Sequence, residues 1–146
     1  INFALMTFGN EIEKITSTCV KNAAGVDMQN SITFAYRDGR MAVMQTTAFC
    51  ATDRMGIISG DKGYIVIDNI NNPQLAVVYN TEHQEIARRT CPPQITGFEY
   101  QVQEAADAIR EGRIEPVSMP HEESLSVMRM LDELRKEWGV CFPMDK

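Results

Sequence analysis

Residues 97–146 read GFEYQVQEAADAIREGRIEPVSMPHEESLSVMRMLDELRKEWGVCFPMDK, and two amphipathic helices are written into them. In the first, Phe98, Val102, Ala105, Ala106 and Ile109 recur at the spacing of a core-facing stripe. Glu99, Gln103, Glu104, Asp107 and Arg110 fill the opposite side, and Gly112 supplies the stop. The second helix starts near Pro120, a residue suited to a first helical turn. Glu122 and Glu123 stand at its positive end and Arg135 and Lys136 near its negative end, both favourable to the helix dipole. Val127, Leu131, Leu134 and Trp138 form its apolar stripe, and Gly139 ends it.

Almost everything upstream reads as strand. Ile1, Ala4, Leu5 and Phe8 form a short helix closed by Gly9, and it lacks a capping residue. That opening leads to the expectation that the chain is a piece of something longer. Glu13–Lys21 is a Thr-rich strand, and period-two alternation runs from Val26 to Arg37. Asp38-Gly39 then suits a two-residue hairpin turn, with Arg40–Thr52 returning. Taken as the loop, that dipeptide pairs Tyr36 with Met41 and Phe34 with Val43 on an apolar face. The opposite face would carry Gln29, Ser31, Thr33, Met44, Thr46 and Ala48. It holds almost no Lys or Glu, so these six residues are candidates for an interface with another sheet or subunit. The other reading of this face is a Thr-rich sheet open to solvent.

Further strands are expected at Met55–Ser59, Tyr64–Asp68, Leu75–Tyr79 and Glu85–Thr90, with a turn at Asp61-Lys62-Gly63 and a loop at Asn69–Gln74. Pro92-Pro93 carries the chain out of the sheet in an extended linker. The result is an α+β fold: an open, mainly antiparallel sheet with helices on one face, in a single domain over residues 1–146.

Bulk properties narrow the function classes. The chain has 146 residues, enough for one domain with a real core. Its net charge of −6 disfavours nucleic acid, and the longest basic runs are Arg88-Arg89 and Arg135-Lys136. No apolar run approaches the roughly 20 residues of a membrane span. Cys19, Cys50, Cys91 and Cys141 are widely spaced, which favours buried, reduced thiols in a cytoplasmic protein over a disulfide framework. His83 and His121 are too isolated to hold a metal.

Candidate chemistry is sparse. As a base His121 would need an orienting partner and a pocket, and the neighbouring Glu122 and Glu123 serve the helix terminus; the carboxylates Asp107, Glu111, Asp132 and Glu133 read as solvated helix faces. Gly60 and Gly63 resemble part of a phosphate loop, but no helix start follows them. Tyr100, just after the Pro-Pro link, is placed to face a pocket or to edge the core.

Several stretches occur together in order: Gly97-Phe98-Glu99-Tyr100, Ala108–Arg113, Met119–Leu125 and Leu131–Arg135. With Asp61-Lys62-Gly63, they resemble the C-terminal domain of the Gfo/Idh/MocA family of NAD(P)-dependent oxidoreductases. The opening Ile1–Gly9 and the ending Gly139–Lys146 are similar to its dihydrodiol dehydrogenase branch. The resemblance covers essentially the whole chain. It implies a fold like the C-terminal domain of glyceraldehyde-3-phosphate dehydrogenase, and a parent enzyme acting on a sugar, a cyclic polyol or a diol. It also implies an N-terminal Rossmann domain that is absent here and a homo-oligomer formed through the open sheet face. The family's cofactor fingerprint and its Lys-Pro motif have no counterpart in this chain, and its catalytic His or Tyr falls before Ile1. The resemblance therefore assigns no catalytic or cofactor-binding residue. It leaves Asn2, Thr96 and Tyr100 as substrate-pocket candidates and implies that the chain alone is inactive and binds no cofactor. The competing expectation is a stand-alone sheet-mediated dimerisation or ligand-binding module.

Overall fold

A computed structural model describes residues 1–145 and divides the chain into two compact units. The first comprises Ile1–Ala51 and the stretch from Ser118 onward; the second is Thr52–Val117. The α+β class and the antiparallel pairing follow the sequence reading. The strands are shared between two sheets, one of three strands and one of four.

The first unit begins with α1 (Asn2–Phe8), followed by an antiparallel meander of β1 (Ile12–Lys21), β2 (Asp27–Tyr36) and β3 (Met41–Thr47). The β2–β3 turn departs from expectation by one residue. The Tyr36 N–H donates to the Arg40 carbonyl at 3.0 Å, so Arg37, Asp38 and Gly39 together form the loop. A two-residue type I′ turn needs positive φ at both central residues. Here Gly39 alone takes it, at 85°. Asp38 instead accepts the Arg40 N–H at 3.1 Å and pairs with the Arg40 guanidinium at 2.7 Å.

One residue in the turn turns β3 over, because side chains alternate faces along a strand. Phe34 stands opposite Ala42, not Val43, and Ile32 stands opposite Met44. Met44, Thr46 and Ala48 therefore lie on the other side of the sheet from Gln29, Ser31 and Thr33. The residues that join those three are Met41, Val43, Gln45 and Thr47, with Met41 60% and Val43 61% exposed.

The inner face forms the core. Phe34 is fully buried among Ala4, Leu5, Ile32, Tyr36 and Leu134. Leu134 comes from α3 (His121–Trp138), which presents Val127, Met130, Leu134 and Trp138 to the sheet. Met130 takes the place expected of Leu131, which is exposed. The end of α3 is fastened to β1. The Trp138 indole N–H donates to Ser17 Oγ at 2.7 Å, and Lys21 Nζ donates to the carbonyls of Trp138 and Gly139 at 2.6 and 3.2 Å. Gly139 adopts φ 63°, and the Val140 N–H closes the terminus on the Arg135 carbonyl.

The second unit is a meander of β4 (Gly56–Gly60), β5 (Gly63–Ile67), β6 (Leu75–Tyr79) and β7 (Glu85–Thr90), followed by α2 (Glu99–Arg110). Gly63, at φ 140°, follows the Asp61-Lys62 turn, and a Cβ there would stand 1.9 Å from the Tyr79 carbonyl oxygen. Tyr64 and Tyr79 stack with ring centroids 5.0 Å apart. The Tyr64 hydroxyl lies 3.2 Å from Nδ1 of His83, at the tip of the β6–β7 loop. The stripe that periodicity assigns to the core on α2 is open: Phe98 is 67% and Ile109 78% exposed, and Ala108 is the buried residue. Amphipathicity shows that a face will be covered; it does not say by what.

The thiols also differ from expectation. All four cysteines are free, but Cys50 and Cys141 are exposed and Cys19 and Cys91 half-buried.

Phe34→Ala should lower the unfolding free energy by about 3–5 kcal/mol, the usual cost of truncating a buried aromatic. Chemical denaturation followed by circular dichroism measures it, and a loss under about 1 kcal/mol would show that this is not the packing centre.

Candidate functional site

A polar hollow in the second unit forms where the Asn69–Gln74 loop, the Pro92-Pro93 linker and the first turn of α2 meet. Its volume is about 410 Å³, and Asn71, Asn72, Gln94, Thr96, Tyr100 and Gln101 are among its lining residues.

Each wall has a local cause. Asp68 ends β5 and accepts the backbone N–H groups of Asn69, Gln74 and Leu75 at 2.8, 3.0 and 3.2 Å. Those bonds, the one from Gln74 foremost, hold its carboxyl below the usual range and curl the loop back on itself. Asn72 then links loop to linker: its Oδ1 accepts from Gln94 Nε2 at 2.9 Å, and its Nδ2 donates to the Thr96 carbonyl at 3.1 Å.

Glu99 sets the third wall. Its carboxylate accepts the N–H groups of Ile95 and Thr96 and the Thr96 hydroxyl, the last two at 3.0 and 2.9 Å. Thr96 Oγ1 in turn accepts the Phe98 N–H at 3.2 Å. This is a reciprocal capping arrangement built on Thr96-Gly97-Phe98-Glu99. Its own backbone N–H, then those of Ile95 and Thr96, bring the Glu99 pKa down to about 2. Gly97, at φ 86°, passes so close that a Cβ would sit 2.7 Å from Asn72 Oδ1. The Tyr100 hydroxyl donates to the Pro92 carbonyl at 3.0 Å, and partial desolvation raises its pKa.

Two of the three pocket candidates, Thr96 and Tyr100, thus line one hollow. Asn2 belongs to the first unit, where its Oδ1 is buried without a hydrogen-bond partner. Asn72, Gln94 and Glu99 escaped the sequence reading. The Thr-x-x-Glu spacing before α2 was the available signal for Glu99; no local pattern marks the amides. Asp107 pairs with Arg110 at 2.7 Å and Asp132 with Arg135 at 3.2 Å, as surface helix pairs do. Gly60 and Gly63 bracket a hairpin turn that leads into β5, so they do not cradle a phosphate. Among the described residues no three His, Cys, Asp or Glu side chains gather as a metal site, and no helix is long and apolar enough to cross a membrane.

No family model matches the chain. Individual proteins do. It is 26% identical to the Bacillus subtilis scyllo-inositol 2-dehydrogenase (NADP(+)) IolU over 124 residues, 85% of this chain and 37% of that protein. It is 27% identical to the Xenopus tropicalis trans-1,2-dihydrobenzene-1,2-diol dehydrogenase and 26% to the human one, covering 98% and 100% of this chain. The chain spans 45% and 46% of those two proteins. Among solved structures, the aldose-aldose oxidoreductase of Caulobacter crescentus, complexed with glycerol, superposes over 92% of this chain and 41% of its own. The TM-score is 0.74 at 18% identity. The UDP-N-acetylglucosamine 3-dehydrogenase GnnA of Acidithiobacillus ferrooxidans gives a TM-score of 0.64 over 77% of this chain, at 15% identity.

The fold is therefore the α+β domain found in sugar- and polyol-handling oxidoreductases. Most of the chain is thus similar to less than half the length of inositol and diol dehydrogenases, which is consistent with a domain of such an oxidoreductase.

A pH dependence follows from Glu99. Its folded pKa is depressed below the ordinary 4.5, so its contribution is complete above that value and is lost as pH falls toward about 2. Amide protection factors at Ile95 and Thr96, corrected for the intrinsic pH dependence of exchange, should fall across that window, and Glu99→Gln should remove the dependence; unchanged protection factors down to pH 2 would refute this cap.

Proposed function

We propose that the chain is the C-terminal substrate and oligomerisation domain of an NAD(P)-dependent oxidoreductase acting on CH–OH groups of a sugar, cyclic polyol or diol. The observation that carries this is the near end-to-end similarity to diol dehydrogenases more than twice as long. In this reading the remaining length holds the Rossmann domain, the cofactor and the proton-transfer residues. NAD or NADP would supply or accept the hydride there. This chain's part is to bind and orient the substrate, with Thr96 and Tyr100 in one wall. A cytoplasmic location is consistent with four free thiols.

The outer face of β1–β3 is the proposed contact with a second copy. Gln29, Ser31 and Thr33 share it with Met41, Val43 and Gln45, which gives an open surface with two large exposed apolar side chains. The Thr33–Val43 pair sits near its middle.

Two measurements test these assignments. Calorimetric titration of the 146-residue chain with NAD and NADP should give no binding heat; saturable binding of either would overturn the division of labour. Thr33→Arg combined with Val43→Arg should convert the assembly to a monomer in sedimentation velocity, whereas an unchanged sedimentation coefficient would rule out this face.

A further inference from the structure

We propose that Asn72 is a positioning residue for the substrate: from the β5–β6 loop it sets where the Gln94–Tyr100 wall of the hollow stands, and so how tightly that wall holds its ligand. The inference rests on the reading of the hollow as one wall of the substrate pocket, and it names the residue that controls that wall.

Three observations carry it. First, Asn72 is itself fixed. Asp68 draws its loop together by accepting the N–H groups of Asn69, Gln74 and Leu75. The Asn72 N–H donates to the Asn69 carbonyl at 3.1 Å. Pro73 follows, and a residue before proline is biased toward extended backbone.

Second, the wall depends on that fixed point. Ile95 is 95% exposed, so apolar packing does not anchor the linker there. Glu99 binds the N–H groups of Ile95 and Thr96, and the Tyr100 hydroxyl donates to the Pro92 carbonyl. Those bonds tie linker and helix to each other, so the two shift as one piece. At its base the piece meets the loop through Cys91, whose N–H donates to the Gln74 carbonyl at 3.0 Å. Further along, Asn72 ties it again. Its Nδ2 donates to the Thr96 carbonyl at 3.1 Å, and its Oδ1 accepts from Gln94 Nε2 at 2.9 Å. A carbonyl can only accept, so the Asn72 amide must present its NH₂ end to Thr96.

Third, the fit around Asn72 has no slack. Gly97 passes between two amides: a Cβ on it would stand 2.7 Å from Asn72 Oδ1 and 3.1 Å from Gln94 Oε1. The approach leaves room for a hydrogen and nothing larger, so it fixes the distance between loop and wall. A displaced Asn72 would release Gln94 and Thr96 together, and both line the hollow beside Tyr100. One N–H of the Asn72 amide is left over, and a ligand contact made by it alone would leave the unliganded wall unchanged.

The test uses the longer protein, with scyllo-inositol and NADP as probes, and amide exchange in the unliganded 146-residue chain. Asn72→Ala should raise the KM for scyllo-inositol about tenfold and leave kcat within about twofold, the signature of lost binding geometry rather than lost chemistry. Asn72→Asp keeps the acceptor for Gln94 but loses the donor to Thr96, and should raise KM about fivefold. Gly97→Ala pushes on the same contact, so its effect combined with Asn72→Ala should fall short of the product of the two. In the unliganded chain, Asn72→Ala should lower protection at Thr96 and Phe98 and spare Val66 and Val77 in the sheet. A KM unmoved by Asn72→Ala, a loss confined to kcat, fully multiplicative effects, unchanged protection at Thr96, or a fall shared by the sheet would each overturn the inference. A wild-type longer protein that neither binds NADP nor turns over scyllo-inositol would count against the oxidoreductase reading alone, and the exchange data would then decide whether Asn72 sets the wall.

Discussion

The three-residue turn at Arg37–Gly39 is the constraint on which the first unit depends. Asp38 binds the Arg40 N–H with its side chain, and Gly39 alone absorbs the positive φ. That geometry sets the register of β2 against β3, and register decides sidedness. With it, Phe34 meets Ala42, and the small side chain leaves room for α1 and α3 to pack down on the ring. The same step sends Met41 and Val43 outward, giving the opposite face apolar weight among hydroxyls and amides. A single hydrogen-bonded loop therefore writes both the core and the outer surface.

The second unit places its polar groups by a different economy. Asp68 and Glu99 each gather backbone N–H groups from a short irregular stretch, and Asn72 ties the two stretches together. Charged acceptors make stronger hydrogen bonds than neutral ones. Two carboxylates and one amide can therefore hold a loop and a linker that have little apolar cover of their own. The walls of the hollow are backbone held by side chains, which leaves Gln94, Tyr100 and Gln101 to face inward.

Much of the fold was legible in the sequence because it rests on local chemistry. The strands, Gly9, Gly112 and Gly139 as stops, and the start at Pro120 all follow from patterns within a few residues. The β3 register was not legible, because Asp38-Gly39 serves equally a two-residue turn and a three-residue turn with a bulge. Choosing between them needs the Asp38–Arg40 contact. The openness of Phe98, Val102 and Ile109 was not legible either, since a periodic stripe is silent about its partner. Tyr100 could be named from its place just after the Pro-Pro link, and Thr96 because a family resemblance pointed at its neighbourhood. Asn72 and Gln94 are 22 residues apart and meet only through the fold.

The first unit is discontinuous along the chain. Its sheet is complete by Thr47, yet Leu134 and the Trp138 clamp arrive after the whole second unit has been made. Lys21 and Ser17 wait more than a hundred residues for their partners. On the ribosome, the three strands emerge with Phe34 lacking its α3 lid, while β4–β7 pair through short local hairpins. Synthesis thus imposes an order that the finished structure conceals: the inserted unit can pair its strands first, and the unit that contains Ile1 closes last.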